Sequence, residues 1–249
     1  MRLITVSGLA CLGVAGLLHA ASEAKQTIHV TNTERVDFPA GGTLRIKNGI
    51  GVLWVEGWDR PDAEITTIKS SKHEIAPGAR EKSMRVLDQV HVTAQVQGQE
   101  LVVSTDYPRW RAWPPPSPVS GEINFDLEYR IKVPSSARFI GNHAIGEVTI
   151  YGLTGDIEET MHQGALLLHL PEDAKYAINA KVDAGTVNSD YTGEVRNRRW
   201  VVGHRLVHTD APAPHKLTLR VGWGDILLLK TTIPQEPPPM ALPKTGGGL

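Results

Sequence analysis

Apolar and polar positions alternate along most of this chain, and in five places the alternation restarts after a glycine. The segments are Gly51-Val52-Leu53-Trp54-Val55, Gly146-Glu147-Val148-Thr149-Ile150, Gly164-Ala165-Leu166-Leu167-Leu168, Gly185-Thr186-Val187-Asn188-Ser189 and Gly224-Asp225-Ile226-Leu227-Leu228. A glycine free to turn at positive φ, followed by apolar residues at every second position, makes a corner feeding a half-buried strand. Gly146 and Gly164 are 18 residues apart, Gly164 and Gly185 are 21 apart, and Gly155-Asp156-Ile157 falls between the first pair. Recurrence at about 20 residues predicts an all-β chain folded as a β-solenoid, a single-stranded, right-handed β-helix-like stack of roughly 20-residue rungs. Val148, Ile150, Leu166, Leu168 and Val187 are then expected to point inward.

Before the repeats, Thr27–Val30 and Thr43–Lys47 read as strands around the turn Pro39-Ala40-Gly41-Gly42, followed by a strand at Val52–Val55. Ala63–Ser70 and Val90–Gln97 alternate over longer runs, and Gln97-Gly98-Gln99 predicts a tight hairpin into Glu100–Thr105. Glu81–Leu87 fits either a strand or a single helical turn. Glu122–Val133, Arg196–Val207 and Lys216–Lys230 complete the predicted strands. Between them, Tyr107 to Gly121 holds too many prolines for a central strand, because proline cannot donate to a ladder.

The 249 residues are 41% hydrophobic with a net charge of −1, so the chain has material for one core and no global field that would draw nucleic acid. Met1-Arg2, an apolar run from Leu3 to Leu18 and the small residues from Ala20 predict a secretory leader over residues 1–20. Its removal takes away Arg2, and −1 − 1 gives a mature charge of −2. The single cysteine, Cys11, lies inside the leader, preceded by Gly8-Leu9-Ala10 rather than a lipoprotein cleavage sequence. The expected organisation is a solenoid domain over residues 25–233 and a Pro/Gly-rich tail over residues 234–249. Leu242-Pro243-Lys244-Thr245-Gly246 spells a sortase signal, but only Gly247-Gly248-Leu249 follow it, so it reads as coincidence.

Candidate chemistry is sparse. His204 and His208 sit four residues apart, about 13 Å along a strand, too far to share a metal. His143, His162 and His169 fall near corners and read as solvated surface residues. Asp156, Glu158 and Glu159, and the pair Glu172-Asp173, invite a carboxylate dyad. Glu158 and Glu159 must face opposite sides of a strand, and Asp156 with Glu158 reads as an exposed face. No catalytic residues, metal or cofactor are expected. Trp54, Trp58, Trp200 and Trp223 fall at corners or strands and are expected to pack, with Arg196, Arg198 and Arg199 a solvated edge around Trp200. The binding candidates are Tyr107, Arg109, Trp110, Arg111 and Trp113, an aromatic and cationic loop stiffened by Pro114-Pro115-Pro116. Such rings stack on sugars and such guanidiniums pair with uronate or phosphate, unless the tryptophans fold back as a cap.

Phe38-Pro39-Ala40-Gly41-Gly42-Thr43 through Val55-Glu56-Gly57-Trp58-Asp59 resembles the opening rungs of the bacterial putative-adhesin family of unknown function. Ile131-Lys132-Val133-Pro134 followed by Gly146-Glu147-Val148 is similar to the family's second part, while the Tyr107–Gly121 loop departs from it. The resemblance spans most of residues 28–230 and implies an exported β-solenoid with no catalytic residues to carry over. The expected function is a non-enzymatic binding or scaffold module of the cell envelope, in the periplasm, at the cell surface or outside the cell. Envelope or host glycans, or another envelope protein, are the expected partners, with no nucleic acid and no membrane span after leader removal. The rivals are a solenoid polysaccharide lyase or hydrolase, and a structural or regulatory envelope protein binding through one end of the solenoid.

Overall fold

The structure is a computed structural model describing residues 27–72, 80–107, 125–197, 203–210 and 212–231. Among these, the elements in chain order are β1 (His29–Asp37), β2 (Thr43–Trp58), β3 (Asp62–Ser71), α1 (Arg80–Asp88), β4 (His91–Gln97), β5 (Glu100–Asp106) and β6 (Phe125–Pro134). They continue as β7 (Arg138–Tyr151), β8 (Ile157–Pro171), β9 (Tyr176–Ser189), β10 (Glu194–Asn197), β11 (His204–Thr209) and β12 (His215–Thr231).

The glycine corners do not end strands; they bend them. Gly51, Gly146, Gly164, Gly224 and Gly185 lie inside β2, β7, β8, β12 and β9, all with positive φ. Parallel pairing aligns them in one column, Gly51 on Gly146, Gly146 on Gly164, Gly164 on Gly224 and Gly224 on Gly185. A Cβ at Gly164 would overlap the carbonyl oxygen of Gly146, and one at Gly224 would overlap that of Gly164. The close backbone approach demands glycine as much as the left-handed φ does.

Each bent strand has a front half before the glycine and a back half after it. β2 shows the consequence: its front half, Thr43–Lys47, pairs with β5, whereas its back half, Val52–Trp58, pairs with β6. The sheet therefore forks, with β4 and β5 extending the front layer and β6, β3 and β1 the back layer. Side chains from both layers meet in one core, including Leu44, Phe139, Met161 and Leu219 from front halves and Leu53, Ile150, Leu166 and Leu228 from back halves. Val148, Ile150, Leu166 and Leu168 are fully buried as expected, and Val187 is half-buried. Each such side chain contributes roughly 1.5–3 kcal/mol through its removal from water.

The chain is mostly β, but regular rungs in chain order do not appear. The path runs β1-β3-β6-β2-β7-β8-β12-β9-β11-β10, so the last strand is inserted between β8 and β9. β1, β3, β4, β10 and β11 pair antiparallel, and the mixed sheet stays open. A corner glycine needs only a neighbour's carbonyl beneath it, whichever strand supplies that carbonyl, so chain order is not encoded in the repeat. Thr43–Lys47 and Val52–Val55 also merge into one strand through Asn48, which takes a positive φ of 54°. The ambiguous Glu81–Leu87 segment is helical: Leu87 buries into the core, and Lys69 of β3 donates to the carbonyls of Leu87 (3.2 Å) in the last turn and Val90 (3.1 Å) just beyond it.

Candidate functional site

Trp223 stands on the corner ridge with 64% of its surface exposed, the most exposed large apolar side chain among the described residues. Its neighbours in sequence are Gly222 and Gly224. A Cβ at Gly222 would press on the carbonyl of His162, and one at Gly224 on that of Gly164. Backbone packing thus keeps side chains away on both sides of the indole along the strand. Across the ladder Trp223 lies opposite Gln163 of β8 and Ala184 of β9. The first row past the corner reads Glu147, Ala165, Asp225 and Thr186, at about 4.8 Å per strand. Asp225 Oδ1 accepts hydrogen bonds from the Thr186 N–H (2.9 Å) and hydroxyl (2.5 Å), which fixes that carboxylate in place. The result is a projecting aromatic ring with carboxylates, a hydroxyl and an amide within one or two strands. This arrangement can stack on an apolar ring face and hydrogen-bond the hydroxyls around it.

The other described tryptophans pack as expected, on the outer face of the back layer. Trp54 stacks on Tyr151 (centroids 4.5 Å apart), which stacks on His169 (4.0 Å, planes within 7°). Trp58 donates its indole N–H to the Asp62 carbonyl (2.9 Å) and is surrounded by Arg60, Arg35 and Lys132 at 5.1, 5.9 and 6.0 Å from the ring centroid. Arg35 pairs with Glu64 and Asp62, and Lys132 with Glu56, so this cluster is self-neutralising.

Of the loop residues, Tyr107 is half-buried, packs against the core and meets Phe125 edge-on at 6.4 Å. Arg109, Trp110, Arg111 and Trp113 lie outside the described residues, as do Arg198, Arg199 and Trp200. His208 is occupied by the Thr192 carbonyl at Nδ1 and by Asp210 at 3.2 Å from Nε2. Asp210 also accepts the Tyr176 N–H (3.0 Å), which, with His208, holds its carboxyl below the usual range. Among the described residues no group of three or more His, Cys, Asp or Glu is placed to hold a metal ion. Of the dyad candidates, Asp156 accepts the Lys216 N–H (2.8 Å) and Glu158 lies 3.8 Å from Arg138.

Two buried titratable groups differ from the sequence expectation. His143 is not solvated: it is buried, its Nε2–H donates to the Gly51 carbonyl (3.0 Å), and burial lowers its pKa to about 4. His169 is half-buried in the ring stack, and His162 is exposed as expected. Glu159 has no exposed surface, and neither carboxylate oxygen has a hydrogen-bond partner among the described residues. Burial raises its carboxyl well above the usual range. The signal was present, because Ile157, Glu159 and Met161 alternate as one inward face. With no exposed surface, Glu159 is out of a ligand's reach.

No protein-family model and no curated protein matches the chain. Solved structures that resemble it include a putative cell adhesion protein from Clostridium sporogenes, 12% identical, covering 81% of this chain and 100% of that one at a TM-score of 0.48. A putative adhesin from Parabacteroides merdae is 9% identical, covers 64% of this chain and 67% of that one, and has a TM-score of 0.23. A putative lipid binding protein from Parabacteroides distasonis is 10% identical, covers 80% and 96%, and also has a TM-score of 0.23. Likeness of this degree carries neither ligand nor activity to this chain. No helix among the described residues is long and apolar enough to cross a membrane.

Proposed function

We propose that this protein is an exported, non-enzymatic binding module of the cell envelope, and that glycans are its ligand class. The observation that supports this most is Trp223, an indole 64% exposed on a ridge that glycines clear on either side. An exposed ring of this size forgoes about 1.5–3 kcal/mol of burial, a cost compensated when a ligand covers it. A pyranose fits the position because its apolar face matches the indole and its hydroxyls meet Gln163, Glu147 and the Asp225–Thr186 pair. In this reading residues 1–20 are a leader removed on export, and the stacked glycine corners are a rearranged solenoid whose ridge is the contact surface. Arg109, Trp110, Arg111 and Trp113, anchored at Tyr107, form a second contact that adds stacking and pairs acidic sugars.

A glycan array probed with the chain lacking residues 1–20 tests the ligand class. The expected result is binding to a defined set of polysaccharides, weakened at least several-fold by Trp223→Ala with an unchanged melting temperature. Absence of glycan binding at millimolar ligand rules the class out.

A further inference from the structure

On the outer face of the front layer, the ladder register lines up cations. Arg220 of β12 lies opposite Lys181 of β9, and Lys181 lies opposite Arg205 of β11. Residues paired in register share a face, and the sequence neighbours Leu219, Ala180 and Leu206 are buried in the core, so these three side chains form one outward row at about 4.8 Å per strand. Arg220 and Arg205 are exposed, and the Lys181 side chain is 43% exposed. Register adds the position of Arg196 in β10, next to Arg205. In the other direction the row continues through Thr160 of β8 and Asn142 of β7, both exposed. Among the described residues no carboxylate stands in this row. In the rows on either side, Asp183 pairs with Lys181 (2.5 Å), Glu158 lies near Arg138, and Glu194 falls on the edge strand β10.

Like charges directly opposite one another on a sheet face destabilise it, so this row works against the fold and is explained by what it holds. Arg220 has no ion-pair partner among the described residues. Arg205 donates its Nε–H to the neutral Asn179 side-chain oxygen (3.0 Å), which orients the guanidinium without neutralising it. Cations spaced along a line suit an anion repeated along a line, because each Arg can pair a carboxylate or sulfate through two parallel N–H bonds. One strand step is close to the advance per ring of an extended polysaccharide, so successive acidic sugars meet successive strands. Thr160 and Asn142 offer hydrogen bonds to the hydroxyls of such a chain. A single row bordered by carboxylates suits a thread of this kind better than a charged plane such as an anionic bilayer. The net charge of −1 gives no wider field to hold nucleic acid. Arg220 also stands three residues before Trp223 on β12, about 10 Å along the strand, so one oligosaccharide can lie on the row and reach the indole.

We infer that Arg220, Lys181 and Arg205 read the charge of the ligand, and that the polysaccharide bound carries a carboxylate or sulfate on successive rings. This rests on the glycan reading of Trp223 and narrows it to acidic chains. The test titrates the full chain by calorimetry with oligogalacturonate and dextran sulfate, each beside its neutral counterpart, carboxyl-reduced oligogalacturonate and dextran. The acidic member of at least one pair should bind roughly tenfold or more tightly at low salt, with the preference shrinking several-fold at physiological salt. Arg205→Gln with Arg220→Gln should remove that preference, leave neutral-glycan binding unchanged, and leave the melting temperature level or higher, since like-charge repulsion is relieved. Asp183→Asn, which frees Lys181, should tighten acidic-chain binding. Equal affinity for acidic and neutral chains overturns the inference, and if that binding is still lost in Trp223→Ala the ridge reading stands without it. No binding to any glycan overturns both. Preference kept in the double variant, or lost together with a melting temperature lowered by several degrees, also overturns it. So does tighter binding to single-stranded DNA or to phosphatidylglycerol vesicles, which assigns the row to another partner.

Discussion

The carboxylate of Glu159 rests against the backbone of Gly141, its partner across the β7–β8 ladder, so closely that a Cβ on Gly141 would overlap Glu159 Oε2. The missing side chain at one position makes room for the buried acid at the other. Burial raises the carboxyl of Glu159 and lowers the imidazole of His143, two residues beyond Gly141, so each is shifted towards its neutral form.

These two groups give stability opposite pH dependences. The folded pKa of Glu159 is raised, so its contribution is present below the unfolded value of about 4.5 and is lost as pH rises towards the folded one. The folded pKa of His143 is lowered to about 4, so its contribution is present above about 6.5 and is lost as pH falls to 4. Above about pH 4.5 the Glu159 slope is downward while, up to about 6.5, the His143 slope is upward, each at up to about 1.4 kcal/mol per pH unit, so the two offset where both groups titrate. Denaturant midpoints of the wild type should therefore be nearly level just above pH 4.5. Glu159→Gln should rise up to about pH 6.5 and stay level above it. Parallel curves for the two proteins would show that Glu159 is not buried as the acid.

The glycine column makes a second prediction. Gly164→Ala forces a Cβ into the Gly146 carbonyl at a φ of 136°. Such backbone strain costs of order 1–3 kcal/mol before the clash is relieved. Thermal unfolding should show a loss of several degrees, and of more than that for Gly164→Val. A substitution tolerated within one degree would contradict the stacked corners.

Lys69 couples the helix to β3. Its ammonium donates to the Leu87 carbonyl in the last turn of α1 and to the Val90 carbonyl just beyond it, where positive charge also complements the negative end of the helix dipole. Lys69→Met keeps the stem and removes the donor, and should cost about 1 kcal/mol. Hydrogen exchange should quicken in residues 80–88 and remain unchanged in β7 and β8. Uniform quickening would place Lys69 in the global core instead.

The half-buried strand after each corner glycine was legible because a positive-φ glycine followed by alternating apolar residues has one local meaning, but its continuation through the glycine into the strand before it was not. The opposite facing of Glu158 and Glu159 followed from the same alternation, and the hairpin at Gly98, with a φ of 63°, from its turn chemistry. Strand order was not legible, since Gly224 sits on the Gly164 carbonyl and offers its own to Gly185 just as a sequential neighbour would. Trp223 was obscured by its own corner. The alternation resets at Gly224, so parity along β12 does not reveal that residue 223 points outward. His143 looked solvated because polarity was weighed above its place in the inward series Phe139, Gly141, His143.

The central claim rests on an exposed indole whose purpose is contact. The direct measurement is calorimetric titration of wild-type and Trp223→Ala protein with the polysaccharide selected on the array, alongside their melting temperatures. Stacking contributes roughly 0.5–1.5 kcal/mol beyond buried area, so affinity should fall by several-fold to tenfold or more while the melting temperatures agree within one degree. Unchanged affinity, or a melting temperature lowered by several degrees, would contradict the account and make Trp223 a structural residue.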